Sequence, residues 1–229
     1  MKRRTFLALM AAGGGLLIAG RVYEYWQLVQ EQAASAIPVL PAMPTPIPRA
    51  DWEARPINHE AFNEYGFASE TNPTGWLEYR DDLKSAYHTL SIHHSAVSRL
   101  AYETMRTIQG EHLDKRGWAD IGYHFGIDPQ GHIYTGRDLH VRGASVAGGN
   151  TGVIGVVLMG NFELEAPTDA QLIALQTLTN WLTETCALTH LAGHSELNPG
   201  ITVCPGRFMQ PYLDVLARGA GLKRTHTAS

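Results

Sequence analysis

Residues 153–159 read Val-Ile-Gly-Val-Val-Leu-Met, a nearly continuous apolar run. A strand with one wet face alternates apolar and polar residues. A run without alternation suits a strand buried on both faces, as in a parallel sheet covered by helices. Residues 87–94 (Tyr-His-Thr-Leu-Ser-Ile-His-His) do alternate: Leu90, Ile92 and His94 share one face of a predicted strand, Thr89, Ser91 and His93 the other. Further strands are expected at Tyr123–Asp128 and His132–Thr135, separated by the turn Pro129-Gln130-Gly131, and at Leu188–Gly193.

Helical signals fall between these strands. Residues 100–116 read as a helix closed by Gly117. Thr168-Asp169-Ala170-Gln171 is a capping-box pattern, after which Leu175, Leu178, Leu182 and Cys186 recur at spacings of three and four. Pro211 suits the first turn of a last helix. This mixture predicts an α/β fold: a single domain with a central mixed β-sheet flanked by helices.

A chain of 229 residues suits one domain with appendages. Lys plus Arg is 18 against 22 Asp plus Glu, a net charge of −4, which argues against a protein that grips nucleic acid phosphates. Two cysteines exclude a disulfide-rich scaffold and a four-cysteine zinc site, while 11 histidines direct attention to imidazole chemistry.

The first 36 residues read as an export signal or a membrane anchor. Lys2, Arg3 and Arg4 precede an uncharged run from Thr5 to Gly20, the pattern of bacterial export. Arg3-Arg4-Thr5-Phe6-Leu7 resembles the twin-arginine motif. Ala34-Ser35-Ala36 offers a small-residue cleavage site, but 16 residues beyond the apolar run, so an uncleaved anchor stays open. Residues 37–50 carry five prolines and read as an extended spacer. The folded domain is expected over 51–217, with a loose tail at 218–229. An exported protein, periplasmic or at the cell envelope, follows, touching the membrane only through its N-terminal segment.

Three places carry candidate chemistry: His93-His94 at a strand end, His194 at another, and Cys204 within Thr202-Val203-Cys204-Pro205-Gly206. Two imidazoles and a thiolate with one open position make a plausible catalytic zinc shell. Two other readings stand beside it, a Cys186–Cys204 disulfide in an exported protein and a cysteine nucleophile paired with histidine. Cys186 falls on the apolar stripe of its helix, where a buried free thiol is common.

The motifs Trp52-Glu53-Ala54-Arg55-Pro56, Ile92-His93-His94-Ser95-Ala96, Gly117-Trp118-Ala119-Asp120-Ile121-Gly122-Tyr123-His124-Phe125, Gly136-Arg137-Asp138, Asn150 with Ile154-Gly155, and Gly193-His194 followed by Thr202-Val203-Cys204-Pro205-Gly206 occur in one order. Together they resemble the zinc N-acetylmuramoyl-L-alanine amidases that include peptidoglycan-recognition proteins and phage lysozyme-type amidases. The resemblance spans roughly Asp51 to Leu216. It implies that fold, a Zn²⁺ cofactor held by His93, His194 and Cys204, and catalytic roles for Tyr123 and Thr202. Strand parity agrees in leaving His94 and His124 structural, and the apolar stripe makes Cys186 a buried free thiol. The implied activity is hydrolysis of the amide between N-acetylmuramic acid and L-alanine, in peptidoglycan or a muropeptide. The alternative is a module that binds peptidoglycan without cutting it; members of that kind commonly lack the cysteine ligand.

The chain departs from its relatives at two places. Gly143-Ala144-Ser145-Val146 has serine where related members often carry histidine, which removes an imidazole from the expected substrate rim. The segment between His194 and Cys204 is longer than in many recognition-type proteins and similar to that of cytoplasmic anhydro-muropeptide amidases. Those typically carry an aspartate where Cys204 stands and a glutamate near Val157, and this chain has neither.

Overall fold

The computed structural model describes residues 44–80, 82–101 and 103–224. The predicted export segment and the first part of the predicted spacer lie outside them. Among the described residues the chain forms α1 (Leu83–Ala86), β1 (Thr89–His94), α2 (Met105–Asp114), β2 (Phe125–Ile127), β3 (Ile133–Thr135), β4 (Val153–Leu158), α3 (Asp169–Cys186), β5 (His190–Gly193), α4 (His194–Leu197), α5 (Gln210–Gly219) and β6 (Lys223–Arg224). No helix among these residues is long and apolar enough to cross a membrane.

The six strands form one sheet in the order β3-β2-β4-β1-β5-β6. Only β2 and β3 run antiparallel, as their short turn requires; the other pairings are parallel. The expected mixed sheet is therefore present. β4 lies inside it and is buried along its whole length, as the unalternating run predicts. β1 is central and equally buried, so its polar face meets protein rather than water.

The two faces carry different layers. Leu90, Ile92, Ile154, Val156 and Leu158 pack with Leu175, Leu178 and Leu182 of α3 and Leu213 of α5 in the larger core. α3 begins where the capping box predicts: Thr168 accepts from the Gln171 amide and Gln171 reaches back to the Thr168 amide. On the other face Val157 and Met159 pack with Met105 and Ile108 of α2, and with Trp52 and Ile121. Register partners on adjacent strands point the same way, so His93, partner of Val157, faces this second layer.

Three boundaries differ from expectation. The helix predicted over 100–116 is a 3₁₀ turn at Arg99–Ala101 followed by α2, because Thr104 caps the Thr107 amide and starts the helix afresh. The proline-rich segment is not free up to Ala50. The Ile47 amide donates to the Ile133 carbonyl at 2.7 Å, and the Ile47 carbonyl accepts from the Thr135 amide at 2.9 Å. Nor is the tail loose from Arg218. β6 pairs with β5, and the Arg224 guanidinium meets Glu196 and Asp214.

Candidate active site

Three segments bring His93, His194 and Cys204 together. In the parallel register of β1 with β5, Ile92 lies beside Gly193, so the next residues, His93 and His194, leave the sheet side by side. Their rings stand 4.5 Å apart. The loop after α4 returns Cys204, tied by the Ser195 amide donating to the Cys204 carbonyl at 2.6 Å. One ligand atom from each of the three residues lies within 4.8 Å of the others.

The donor set fits a zinc ion. Four tetrahedral ligands at about 2.0–2.3 Å from a metal stand about 3.3–3.8 Å from each other. Cys204 Sγ lies 3.7 Å from His93 Nδ1. The opposite nitrogen of each ring is occupied: His93 Nε2 bonds the Ser91 hydroxyl at 2.8 Å, and His194 Nε2 bonds the Asn198 side-chain oxygen at 3.2 Å. Such outer partners fix ring orientation and leave Nδ1 of each ring for a cation. The His94 amide donates to Cys204 Sγ at 3.3 Å, an N–H···S contact that suits a thiolate.

Electrostatics agree with neutral imidazoles. Burial, then the neighbouring His194, His94 and His112, holds His93 well below the usual histidine range. Burial also lowers His194, against the opposing Asn198 bond. Burial pushes the Cys204 thiol up to about 12, opposed by the His94 amide. The ligand pocket thus supplies two ready lone pairs and a sulfur whose ionisation calls for a positive partner.

Tyr123 lies half-buried between the rings of His93, at 5.0 Å, and His112, at 5.4 Å. Burial, then the charge of Cys204, raises its phenol well above the ordinary value, so it stays protonated across the physiological range. Thr202 is half-buried, and its hydroxyl accepts from the Cys204 amide at 3.1 Å, leaving its own hydrogen to donate. His94 points to the larger core, where its Nδ1 accepts from the Phe162 amide. His124 accepts from the Gly155 amide through Nδ1, with Nε2 against the Tyr87 hydroxyl and the Val141 carbonyl. Both are bound into the fold, as their strand positions suggested. Cys186 is buried and free, and so is Cys204; no disulfide joins them.

A cleft of about 530 Å³ adjoins His194, lined by Asn63, Trp118, Arg142, Ser145 and Asn198 among others. Ser145 stands in this wall, and its amide is held by Asn150 Oδ1 at 2.8 Å. The outer partners Ser91 and Asn198 were not singled out by the sequence reading. Their spacings carried a signal: two residues along a strand for Ser91 and His93, and four along a helix for His194 and Asn198.

Comparison with known proteins gives this geometry a family. The family model described as N-acetylmuramoyl-L-alanine amidase matches residues 83–207, which include His93, Tyr123, His194, Thr202 and Cys204. Peptidoglycan-recognition protein SC2 of Drosophila simulans is 31% identical over 147 residues, covering 63% of this chain and 78% of that protein. The solved N-acetylmuramoyl-L-alanine amidase LysC from Clostridium intestinale is 30% identical with a TM-score of 0.55, covering 60% of this chain and 87% of that one. Human PGRP-IBETAC, solved in complex with glycosamyl muramyl pentapeptide, is 25% identical with a TM-score of 0.58, over 77% of this chain and 97% of that one. With more than half of its length matched and its fold shared, the chain belongs to the N-acetylmuramoyl-L-alanine amidase family.

Proposed function

We propose that the protein is a zinc-dependent N-acetylmuramoyl-L-alanine amidase. The reaction is hydrolysis: water oxygen adds to the lactyl carbonyl carbon of N-acetylmuramic acid, the C–N bond breaks, and the L-alanine amine leaves with a proton. The observation that carries this reading is the complete His93–His194–Cys204 donor set beside Tyr123, since binding-only members commonly lack the cysteine.

Bound at these three residues, zinc supplies water activation and carbonyl polarisation. Ser91 and Asn198 orient the two imidazoles before any ligand arrives. The Tyr123 phenol, kept neutral by burial, donates a hydrogen bond to the oxyanion as it develops. Thr202, anchored through its oxygen to the Cys204 amide, turns its O–H toward the substrate carbonyl. The cleft beside His194 takes the stem peptide, with Trp118 and Arg142 in its walls. The basic and apolar N-terminal residues support placement of this reaction outside the cytoplasm.

The test is digestion of purified peptidoglycan with the whole chain and mass spectrometry of the products. The amidase reading expects free stem peptides beginning with L-alanine, glycan strands left uncut, and no peptide release in the presence of a chelator. Binding to the wall with no released peptide would favour the recognition module instead.

A further inference from the structure

One wall of the cleft beside His194 is the loop 143–151, which contributes Ser145, Ala147, Gly148 and Asn150. Its base is fixed: the Ala144 amide donates to the Gly122 carbonyl at 2.9 Å, and Val146 is buried. Within the loop, Asn150 Oδ1 accepts from the Ser145 and Val146 amides, and the Gly149 amide donates to the Val146 carbonyl at 3.0 Å. The tip is Ala147-Gly148-Gly149, and Gly148 has a φ of 74° with open space where a side chain would stand. Among the described residues a single hydrogen bond reaches residues 145–151 from outside the loop. Asn198 Nδ2 donates to the Ala147 carbonyl at 3.1 Å.

The other end of that amide holds a metal-ligand position, since Asn198 Oδ1 accepts from His194 Nε2 at 3.2 Å. The two contacts use opposite ends of one planar group, so a rotation that improves one disturbs the other. The backbone of Asn198 is anchored as well. Its amide donates to the His194 carbonyl at 3.0 Å, and its carbonyl accepts from the Ile201 amide at 3.2 Å. The imidazole and the loop tip are therefore joined by one short side chain on a fixed base. The loop also reaches Tyr123. A side chain on Gly155 of β4 would run into the Ser145 hydroxyl and touch the Tyr123 ring, so Ser145 and Tyr123 converge over this bare position.

A cation on Nδ1 of His194 fixes the ring, and a fixed ring holds Asn198 Oδ1 in place. Nδ2 is then held toward Ala147. We infer that Asn198 is a positioning link through which metal loading orders the cleft wall: zinc at His194 tightens the Asn198–Ala147 bond and, with it, the loop 145–150. The inference rests on the zinc reading above. A glycine-rich tip tied by one outside bond gains more from this than a segment tied by many, because so little else opposes its local opening. The coupling is reciprocal, as binding linkage requires, so whatever packs against the loop also favours the metal.

The experiment uses the whole chain and zinc alone. Amide hydrogen exchange at Ser145, Val146 and Gly149 should slow about fivefold or more when zinc is added, the lower end of typical couplings between sites. The Gly131 amide, in the turn between β2 and β3, should keep its rate. Asn198→Asp keeps an oxygen for His194 Nε2 and puts a second oxygen where the donor to Ala147 stood. It should bind zinc as tightly as the unaltered chain, measured by competition with a chelating dye, and lose the exchange response. Asn198→Ala removes both ends; it should lose the response and weaken zinc about tenfold. Zinc uptake with no slowing in the unaltered chain, or an equal slowing in Asn198→Asp, would overturn the link and leave the zinc reading standing. Failure of the unaltered chain to take up zinc would overturn both.

Discussion

The hydroxyl of Ser91 holds Nε2 of His93 at 2.8 Å, and the same ring turns its Nδ1 to Cys204 Sγ at 3.7 Å. Two residues apart on a buried strand face, the serine sets the tautomer and angle with which the histidine meets a cation. Ser91→Ala should therefore keep the fold and weaken zinc binding by about 10- to 100-fold, the scale for an outer partner of a metal ligand. Competition with a zinc-chelating dye measures this; unchanged affinity would mean packing alone orients His93.

The two cysteines should separate cleanly. Cys204→Ala should lose both metal and activity, because two imidazoles make an incomplete shell. Cys186→Ala, in the larger core, should retain both and lose about 1 kcal/mol of stability. Thiol counting on denatured, chelated protein without reductant should find two, and a quantitative disulfide in active enzyme would remove Cys204 from the metal shell.

Tyr123→Phe keeps the ring between His93 and His112 and removes only the hydroxyl. Turnover should fall by about 10²-fold, the effect of one transition-state donor, with zinc content and melting temperature nearly unchanged. Near-normal turnover with zinc bound would reduce Tyr123 to packing.

Acid should destabilise the fold through histidines that are neutral when folded. Burial lowers His124 to about 4 and His112 to about 3, against 6.5 in the unfolded chain. Their contribution is full above pH 6.5. Below it the unfolded chain binds protons that the folded chain excludes, so stability falls as pH drops toward 4 and then 3. The urea midpoint followed from pH 7.5 to 4 should show this slope. His112→Gln, which can still accept from the Gly122 amide, should flatten it at equal metal content.

Export can be tested independently of the fold. Replacing Arg3 and Arg4 with lysine should leave the protein in the cytoplasmic fraction if the twin-arginine route carries it. Undiminished export would point to another route.

Alternation and run length carried much of the fold. The unbroken apolar run of β4 marked a strand covered on both sides, and the parity of β1 separated His93, facing the ligand site, from His94, bound to the Phe162 amide in the larger core. The restart of α2 at Thr104 was also written locally, as a Thr–Thr capping pair, but its signal is weaker than a Thr–Gln box and the apolar spacing runs across it. The cleft beside His194 had no local signature, because it gathers Asn63, Trp118, Ser145 and Asn198 from segments far apart in the chain. Similarly, the ordering of residues 47–50 depends on an edge strand that lies some ninety residues downstream.

That edge has a further consequence. β3 is an outermost strand, and a bare outer strand offers its amides and carbonyls to any other chain, a route to lateral aggregation. Here Ile47 takes up both free groups, Arg49 covers the Gly136 carbonyl at 2.8 Å, and the Trp52 indole covers the Thr135 carbonyl at 2.9 Å. The opposite edge ends in β6, only two residues long. Ile47 and Arg49 thus act as a seam that closes the sheet against self-association, and a protein trimmed to begin at Asp51 would lose that seam and tend to polymerise through the bared edge of β3.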